Sequence, residues 1–195
     1  MRTTTTKGMR RALLAATVAM PCAFAGTTQA ATIQLGFILD SSGSIGATDW
    51  NIIRSGLANA VNTLIPVGGT DTYEGSVVTF SSGATVNVAN LLVTDATVRQ
   101  NLANTIAALP FLGGTTDYTD AFAAMRTTLN NTIASADKSY VNFATDGVPN
   151  PSNRDGITER NGMIADGVDN ISIEAIGLGG AAAASLLQNQ ICYPL

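Results

Sequence analysis

Asp40, Ser42 and Ser44 form the most chemically distinctive pattern of the sequence, one carboxylate and two hydroxyls at alternate positions. Gly43 lies between the serines and lets the backbone curl, so that all three side chains can point towards one centre. Carboxylate and hydroxyl oxygens are the hard ligands that Mg²⁺ selects. The same residues are also typical caps of a following helix. This pattern alone is consistent with a metal site and with a helix cap to about the same degree.

The elements around this pattern place it at the end of a strand. Residues 33–39 are almost continuously apolar, which predicts a strand buried on both faces. Asp40 then stands at the carboxyl end of that strand, where the ligand crevice of an open α/β sheet forms. Apolar residues recur at helical spacing from Trp50 to Leu64 and predict the next helix.

A second carboxylate follows another buried strand. Tyr140, Val141 and Phe143 predict that strand, and Thr145-Asp146-Gly147 comes directly after it. If the two strands run parallel, as strand–helix–strand connections require, Asp146 lies at the same edge of the sheet as Asp40. An Asp-Gly turn is the simpler interpretation of this segment.

Three segments together resemble a known family. The stretch DSSGSIG from Asp40, followed by Trp50, closely resembles the first motif (D-x-S-x-S) of von Willebrand factor type A (VWA) domains. The Gly-Gly-Thr-Thr segment at residues 113–116 resembles the second motif, and Thr145-Asp146-Gly147 resembles the third. The resemblance implies a metal ion-dependent adhesion site (MIDAS) whose ligands are Asp40, Ser42, Ser44, Thr116 and Asp146. Thr115 is the neighbour most easily confused with Thr116, and helix capping is the simpler interpretation of both.

The resemblance also implies a cofactor and a partner. Mg²⁺ is the expected ion, with Mn²⁺ or Ca²⁺ as alternatives, and it retains an open coordination position. Hydroxyl ligands leave the charge of the ion poorly compensated, so it attracts an Asp or Glu carboxylate from a protein partner. The expected function is adhesion or protein–protein interaction through the metal.

The remaining chain predicts one α/β domain. Its 195 residues are 46% hydrophobic and 12% charged, which suits one packed domain, here residues 31–195. Strands are predicted near residues 33, 75, 84, 139 and 171, with helices between most of them. The expected fold is a doubly wound, mostly parallel sheet with helices on both faces, as in VWA and other Rossmann-like domains. The family usually has six strands, so we expect the last strand and helix to be missing and another chain to be able to cover the bare edge.

Residues 1–30 predict a secretory signal peptide. A basic start, a short apolar core and small residues allow cleavage after Ala25 or Ala30. The apolar stretch at residues 12–25 is shorter than the roughly 20 residues that span a bilayer, so no stable membrane span is expected. The sequence predicts export to a periplasm, a cell surface or the medium, and its leader is typical of a bacterium.

Loss of this leader leaves an acidic protein. The leader contains no acidic residue and four basic ones, Arg2, Lys7, Arg10 and Arg11. The rest of the chain therefore has six basic and 14 acidic residues, a net charge of −8. Nucleic acid is therefore excluded as an expected partner, because its binding needs a basic surface. Cys192 would remain as a single cysteine, either free or paired with another chain.

An enzyme is the competing class of function. The chain has no histidine, which excludes a Ser-His-Asp triad and histidine-based zinc sites. The alternative is a Mg²⁺-dependent phosphohydrolase with Asp40 as nucleophile, but no basic residue lies within the three motifs themselves to hold a phosphate, the nearest being Arg54 and Arg154. A purely structural domain without a metal is a third interpretation. The sequence favours a binding protein that is not an enzyme.

Overall fold

Five strands form the sheet in the computed structural model, which describes residues 30–178 and 180–194. The strands are β1 (Thr32–Asp40), β2 (Thr72–Phe80), β3 (Ala84–Val93), β4 (Lys138–Thr145) and β5 (Asn170–Ala175). Their order is β3-β2-β1-β4-β5. All neighbours are parallel except β3, which forms an antiparallel hairpin with β2. The predicted mostly parallel sheet is confirmed.

Helices lie on both faces of this sheet, as predicted. They are α1 (Gly46–Leu64), α2 (Ala96–Ala107), α3 (Tyr118–Leu129), α4 (Ile157–Asp166) and α5 (Ala181–Leu186). A 3-10 turn at Ile133–Ser135 precedes β4, and a π-helical segment at Leu187–Ile191 continues α5. Each parallel strand pair is thus joined through helical structure, which is the arrangement of a doubly wound fold.

Two hydrophobic cores result, one on each face of the sheet. Ile38 of β1 belongs to the core under α3, together with Phe122 and Met125. Leu39, the next residue, belongs to the opposite core with Trp50 of α1. Successive side chains of a strand point to opposite faces, so a strand covered on both faces is apolar along most of its length. This explains the continuous apolar run before Asp40.

The end of α1 differs from the sequence expectation. Leu64 completes the helical apolar pattern, yet its side chain is 75% exposed. It lies at the rim of an open groove of about 320 Å³, whose lining also includes Leu35, Phe37 and Leu57. The last turn of α1 therefore extends beyond the part of the sheet that it covers, because the core residues of the helix end at Val61.

The strand β5 forms one edge of the sheet. Ile171 exchanges two backbone hydrogen bonds with Tyr193, at 2.8 and 3.0 Å. Ile173 and Ala175 direct their backbone groups to the same side, because these groups alternate along a strand. Neither has a backbone partner there among the described residues.

Some sequence expectations fall outside these observations. The predicted signal peptide lies outside the described residues except for Ala30. Within the part of the chain that the structure describes, no helix is long and apolar enough to cross a membrane. In the same part, Cys192 is a half-buried free thiol.

Candidate metal centre

The two predicted carboxylates lie at the same edge of the sheet. Asp40 is the last residue of β1, and Asp146 directly follows β4. The parallel register pairs Leu39 with Ala144, so the two strands end side by side. Three loops meet at this edge, loop one (residues 41–45), loop two (residues 108–117) and loop three (residues 146–156).

A continuous series of hydrogen bonds joins four of the five predicted ligands. The Ser42 backbone N–H donates to Oδ1 of Asp40 at 2.9 Å. The hydroxyls of Ser42 and Ser44 lie 3.2 Å apart. The Ser44 hydroxyl donates to Oδ1 of Asp146 at 3.0 Å, across 102 residues of sequence. Loops one and three therefore place their oxygen atoms around one point.

Asp40 is a buried carboxylate inside this cluster, with no exposed surface. The Thr145 hydroxyl donates to its Oδ2 at 2.7 Å. Burial raises the pKa of the Asp40 carboxyl, hydrogen bonds from Ser42 and Thr145 oppose this rise, and the negative charge of Asp146 adds to it. A cation between the two carboxylates would offset both the burial and the repulsion.

Thr116, the fifth predicted ligand, is buried in loop two. Its backbone exchanges hydrogen bonds with Asn150 of loop three at 2.8 and 3.2 Å, so both residues sit at the same edge. The structure shows no hydrogen bond between its hydroxyl and the other four predicted ligands. Thr115, by contrast, is exposed, and its hydroxyl donates to Ser82 at 3.0 Å. The two threonines thus have different environments, and Thr116 is the one whose hydroxyl is not used elsewhere.

Loops one and two cross each other at close range. The Gly43 N–H donates to the Gly114 carbonyl at 2.9 Å, and the Gly113 N–H donates to the Ser41 carbonyl at 2.8 Å. A Cβ atom on Gly43 would lie 3.2 Å from that Gly114 oxygen. Gly114 has φ +90°, and a Cβ there would lie 2.5 Å from the Ser82 hydroxyl. Glycine is therefore required at Gly114, and a larger side chain at Gly43 would be tightly placed; we call these two positions the glycine crossing.

Thr145 and Tyr118 support the candidate ligands, although the sequence did not identify them in this role. The Tyr118 hydroxyl donates to the Gly147 carbonyl at 2.7 Å and lies 3.0 Å from the Thr145 hydroxyl, which in turn orients Asp40. Burial raises the pKa of Tyr118, so it stays a neutral donor. Thr145 was detectable from its place directly before Asp146. No sequence pattern indicated a role for Tyr118, because it occupies an ordinary buried position of α3.

The arginines nearest the site are already engaged. Arg154 of loop three donates to Asp117 at 2.6 Å and also pairs with Asp120. These partners, Asp117 foremost, raise the pKa of Arg154. Arg54 donates to the Leu109 carbonyl at 3.0 Å. Both guanidinium groups therefore have partners within the protein, an acidic pair for Arg154 and a backbone carbonyl for Arg54.

The donor chemistry of the cluster fits a hard divalent ion. Within the described residues, no group of three or more Cys, Asp and Glu side chains is placed to hold a metal, and the chain has no histidine. Two carboxylates and neutral hydroxyls remain, all of them oxygen donors. Such a set suits Mg²⁺ or Mn²⁺, which bind few carboxylates and keep waters.

Solved structures with the same fold include proteins that bind metals. The mussel byssus proximal thread matrix protein 1, with a zinc-occupied MIDAS motif, has a TM-score of 0.61 at 19% identity over 83% of this chain and 40% of its own. Manganese-loaded Plasmodium vivax TRAP has a TM-score of 0.59 at 20% identity over 82% of this chain and 63% of its own. The pilus adhesin SpaC of Lactobacillus rhamnosus GG has a TM-score of 0.61 at 15% identity over 78% of this chain and 25% of its own. The chain thus spans less than two thirds of each of these proteins, and at such identities the likeness concerns the fold.

Comparison of the sequence with family models identifies the family. A search of curated proteins finds no match, but the family model of the von Willebrand factor type A domain matches residues 34–192. This match covers most of the chain and includes all three loops at the sheet edge. With its five-stranded sheet and its crossed loops, the chain belongs to the von Willebrand factor type A domain family.

Proposed function

We propose that this protein is an exported VWA domain that binds a divalent cation and, through it, an acidic group of a protein partner. The hydrogen-bonded series from Asp40 through Ser42 and Ser44 to Asp146 is the observation that carries this proposal. The proposed ligands are Asp40, Ser42, Ser44, Thr116 and Asp146. Mg²⁺ is the proposed ion, with Mn²⁺ and Ca²⁺ as alternatives.

The residues of the chain would share the work of holding this ion. Ser42 and Ser44 offer neutral oxygens from a loop that the glycine crossing fixes in place. Thr145 holds the Asp40 carboxylate in a single orientation. When bound, the cation supplies a positive position that an external Asp or Glu carboxylate can occupy. Zinc and manganese in two proteins of the same fold support a divalent ion here.

Adhesion or protein–protein interaction is the corresponding biological role. One structural neighbour is a pilus adhesin, which supports a binding role outside the cell. The basic, then apolar start of the sequence supports export to a periplasm, a cell surface or the medium of a bacterium. The pairing of Arg154 with Asp117 supports a role without phosphate chemistry.

Calorimetric titration of Mn²⁺ and Mg²⁺ into the purified protein tests the proposal. We expect saturable binding in the wild type and affinity about 10- to 100-fold weaker in Asp40→Ala, the range seen when groups around a metal are removed. Asp49→Ala is the matched control, because Asp49 is an exposed acid in the first turn of α1. Equal affinities in wild type and Asp40→Ala would contradict the proposal and favour a structural domain without a metal.

A further inference from the structure

The outer side of β5 has unpaired backbone groups along its second half. Ile173 and Ala175 direct their N–H and C=O groups away from β4, and within the described residues neither has a backbone partner on that side. Each of these residues offers one donor and one acceptor. We call residues 173–175 the open edge. An extended segment of another protein can pair with such an edge through its own backbone.

The first half of the same side is already covered by this chain. Tyr193 pairs with Ile171 through two backbone hydrogen bonds. Arg160 of α4 holds Tyr193 in place, because its guanidinium donates to the Ile191 carbonyl at 2.9 Å and lies 5.5 Å from the centre of the Tyr193 ring. A further segment that pairs with residues 173–175 would continue the cover that Tyr193 begins.

An apolar groove lies on one side of the open edge. It has a volume of about 400 Å³, and its lining includes Ile173, Leu178, Ala184 and Leu187. Side chains of paired residues on neighbouring strands lie on the same face of a sheet. Residues of an added segment that lie opposite Ile173 and Ala175 therefore point towards this groove, which suits apolar side chains.

The other side of the open edge is acidic. Glu174 is exposed and shares a groove with Asp49 and Ile52 of α1. Among the ion pairs formed in the described part of the chain, none involves Glu174. A residue of the added segment opposite Glu174 would be its cross-strand neighbour, where an opposite charge stabilises the pair. A Lys or Arg suits that position.

The same charge argues against a second copy of this chain as the occupant. Two copies of β5 paired antiparallel about a two-fold axis through the open edge would place their two Glu174 carboxylates directly opposite each other. Like charges directly opposite destabilise a strand pair. The open edge therefore favours a segment of a different protein.

We propose that the open edge binds an extended segment of a protein partner in which a Lys or Arg lies between two apolar residues. The backbone of the segment pairs with Ile173 and Ala175, and its basic side chain pairs with Glu174. Its two apolar side chains enter the groove beside Ile173. This pattern is the same in both chain directions, so it applies to a parallel and to an antiparallel segment. None of the five proposed metal ligands lies on β5, so this binding needs no cation.

Fluorescence anisotropy with a labelled peptide tests the proposal. The peptide Ser-Thr-Val-Lys-Val-Thr-Ser contains the expected pattern once, and a matched peptide has Glu in place of Lys. In the presence of a chelator, we expect saturable binding of the Lys peptide below about 1 mM and about tenfold weaker binding of the Glu peptide. No binding of the Lys peptide, equal binding of both peptides, or binding that requires a divalent ion would overturn the proposal.

Charge reversal on the protein tests the predicted ion pair. Glu174→Lys should reverse the preference, so that the Glu peptide binds more tightly than the Lys peptide. Asp71→Lys is the matched control, because it makes the same change of charge at an exposed residue just before β2, a strand that β1 and β4 separate from β5. The control should keep the preference of the wild type. An unchanged preference in Glu174→Lys would contradict the pairing.

A backbone variant tests whether the peptide pairs with β5. Ala175→Pro removes an outward N–H of the open edge, a change that edge strands tolerate, and should weaken binding of the Lys peptide about tenfold or more. Ala175→Ser keeps this N–H and should bind as the wild type does. Urea unfolding shows whether both variants fold. A folded Ala175→Pro variant with wild-type affinity would overturn the proposal.

Other occupants of the open edge would give different results. If a second copy covers it, sedimentation should show a wild-type dimer that Ala175→Pro disrupts. If another part of this chain covers it, the amides of Ile173 and Ala175 should exchange slowly at every protein concentration without peptide. Either result would overturn the proposal. We expect a monomer in which these two amides become slow only when the Lys peptide is added.

Discussion

Asp40 combines complete burial with a full set of hydrogen-bond donors. The Ser42 backbone and the Thr145 hydroxyl occupy its two oxygens, so the side chain cannot turn without leaving a buried donor unpaired. The same contacts oppose the rise in the pKa of this carboxyl that burial causes. At the scale of single residues, protein contacts alone orient the carboxylate of the candidate site.

The choice between the two threonines of loop two can be tested with isosteric variants. Thr116→Val removes a candidate ligand oxygen, so we expect Mn²⁺ affinity to fall about 10-fold or more. Thr115→Val is the control, because it removes only the hydrogen bond to Ser82 and should leave the affinity unchanged. Calorimetric titration measures both. The reverse order of effects would assign the ligand to Thr115.

The sequence was informative about some of these residues and silent about others. Asp40, Ser42 and Ser44 could be identified because they are neighbours in sequence directly after an apolar strand. Thr116 could be named only through the resemblance to the family. The link from Tyr118 to Thr145 and Asp40 could not be predicted, since it joins three elements whose register only the folded chain defines.

Arg126 joins α3 to α4 through two acidic side chains. Arg126 of α3 donates to Asp166 of α4 at 2.6 Å and to Glu159 at 3.2 Å. Its guanidinium occupies the space above Gly162, where an added Cβ atom would overlap it. A glycine inside a helix is thus explained by a side chain from the neighbouring helix.

This packing predicts a strong coupling between the two positions. In an Arg126→Ala background, Gly162→Ala should stabilise the protein by about 1 kcal/mol, the difference in helix propensity. In the wild type the gain should be smaller or reversed, because the new methyl group displaces the arginine from Asp166. Urea unfolding of the four proteins of this cycle gives the coupling. Equal effects of Gly162→Ala in both backgrounds would show that Arg126 does not occupy this space in solution.

The same pairing predicts a pH dependence. Hydrogen bonds from Arg126, and then from Asn130, lower the pKa of Asp166 below its ordinary 3.8. A lowered carboxyl pKa stabilises the folded state above about pH 3.8, and this stabilisation disappears as the pH falls through the lower folded value. The wild type should therefore exceed Asp166→Asn in stability near neutral pH, with the difference shrinking in acid. Urea midpoints of both proteins across this range test it, and parallel curves would contradict it.

The sequence predicted the helices and strands better than it predicted the polar contacts between them. All five strands begin near the predicted positions, and the signal is clearest for β1 and β2, because buried parallel strands have an apolar signature. Gln34 breaks that expectation inside β1, where it is fully buried. Its amide donates to Glu74 of β2 at 3.1 Å and to Thr132 at 2.7 Å. A polar pair of this kind depends on which strands become neighbours, so no local pattern reveals it.

At the scale of the whole molecule, the two edges of the sheet differ. At one edge, β3 forms an antiparallel hairpin with β2. At the other edge, the bridge between Ile171 and Tyr193 covers part of the outer side of β5. The exposed Glu174 on β5 adds a charge that discourages pairing with a second sheet. That another chain covers the open part of this edge stays a prediction from the sequence.

Amide hydrogen exchange can show whether this edge is free in solution. The Ile171 N–H donates to Tyr193, so we expect it to exchange slowly. The N–H groups of Ile173 and Ala175 have no such partner within the described residues and should exchange at least about tenfold faster. Slow exchange of all three at high protein concentration, and fast exchange of Ile173 and Ala175 after dilution, would indicate that a second copy covers the edge.

The glycine crossing and the exposed side chains of loop two have opposite consequences for how such a protein can evolve. A Cβ atom has no room at Gly114 and little at Gly43, so we expect few substitutions at either position among relatives. Phe111 and Leu112 are exposed and belong to neither hydrophobic core, so we expect them to vary without loss of the fold. A duplicated gene could therefore diverge at these two codons while it keeps the same loop geometry.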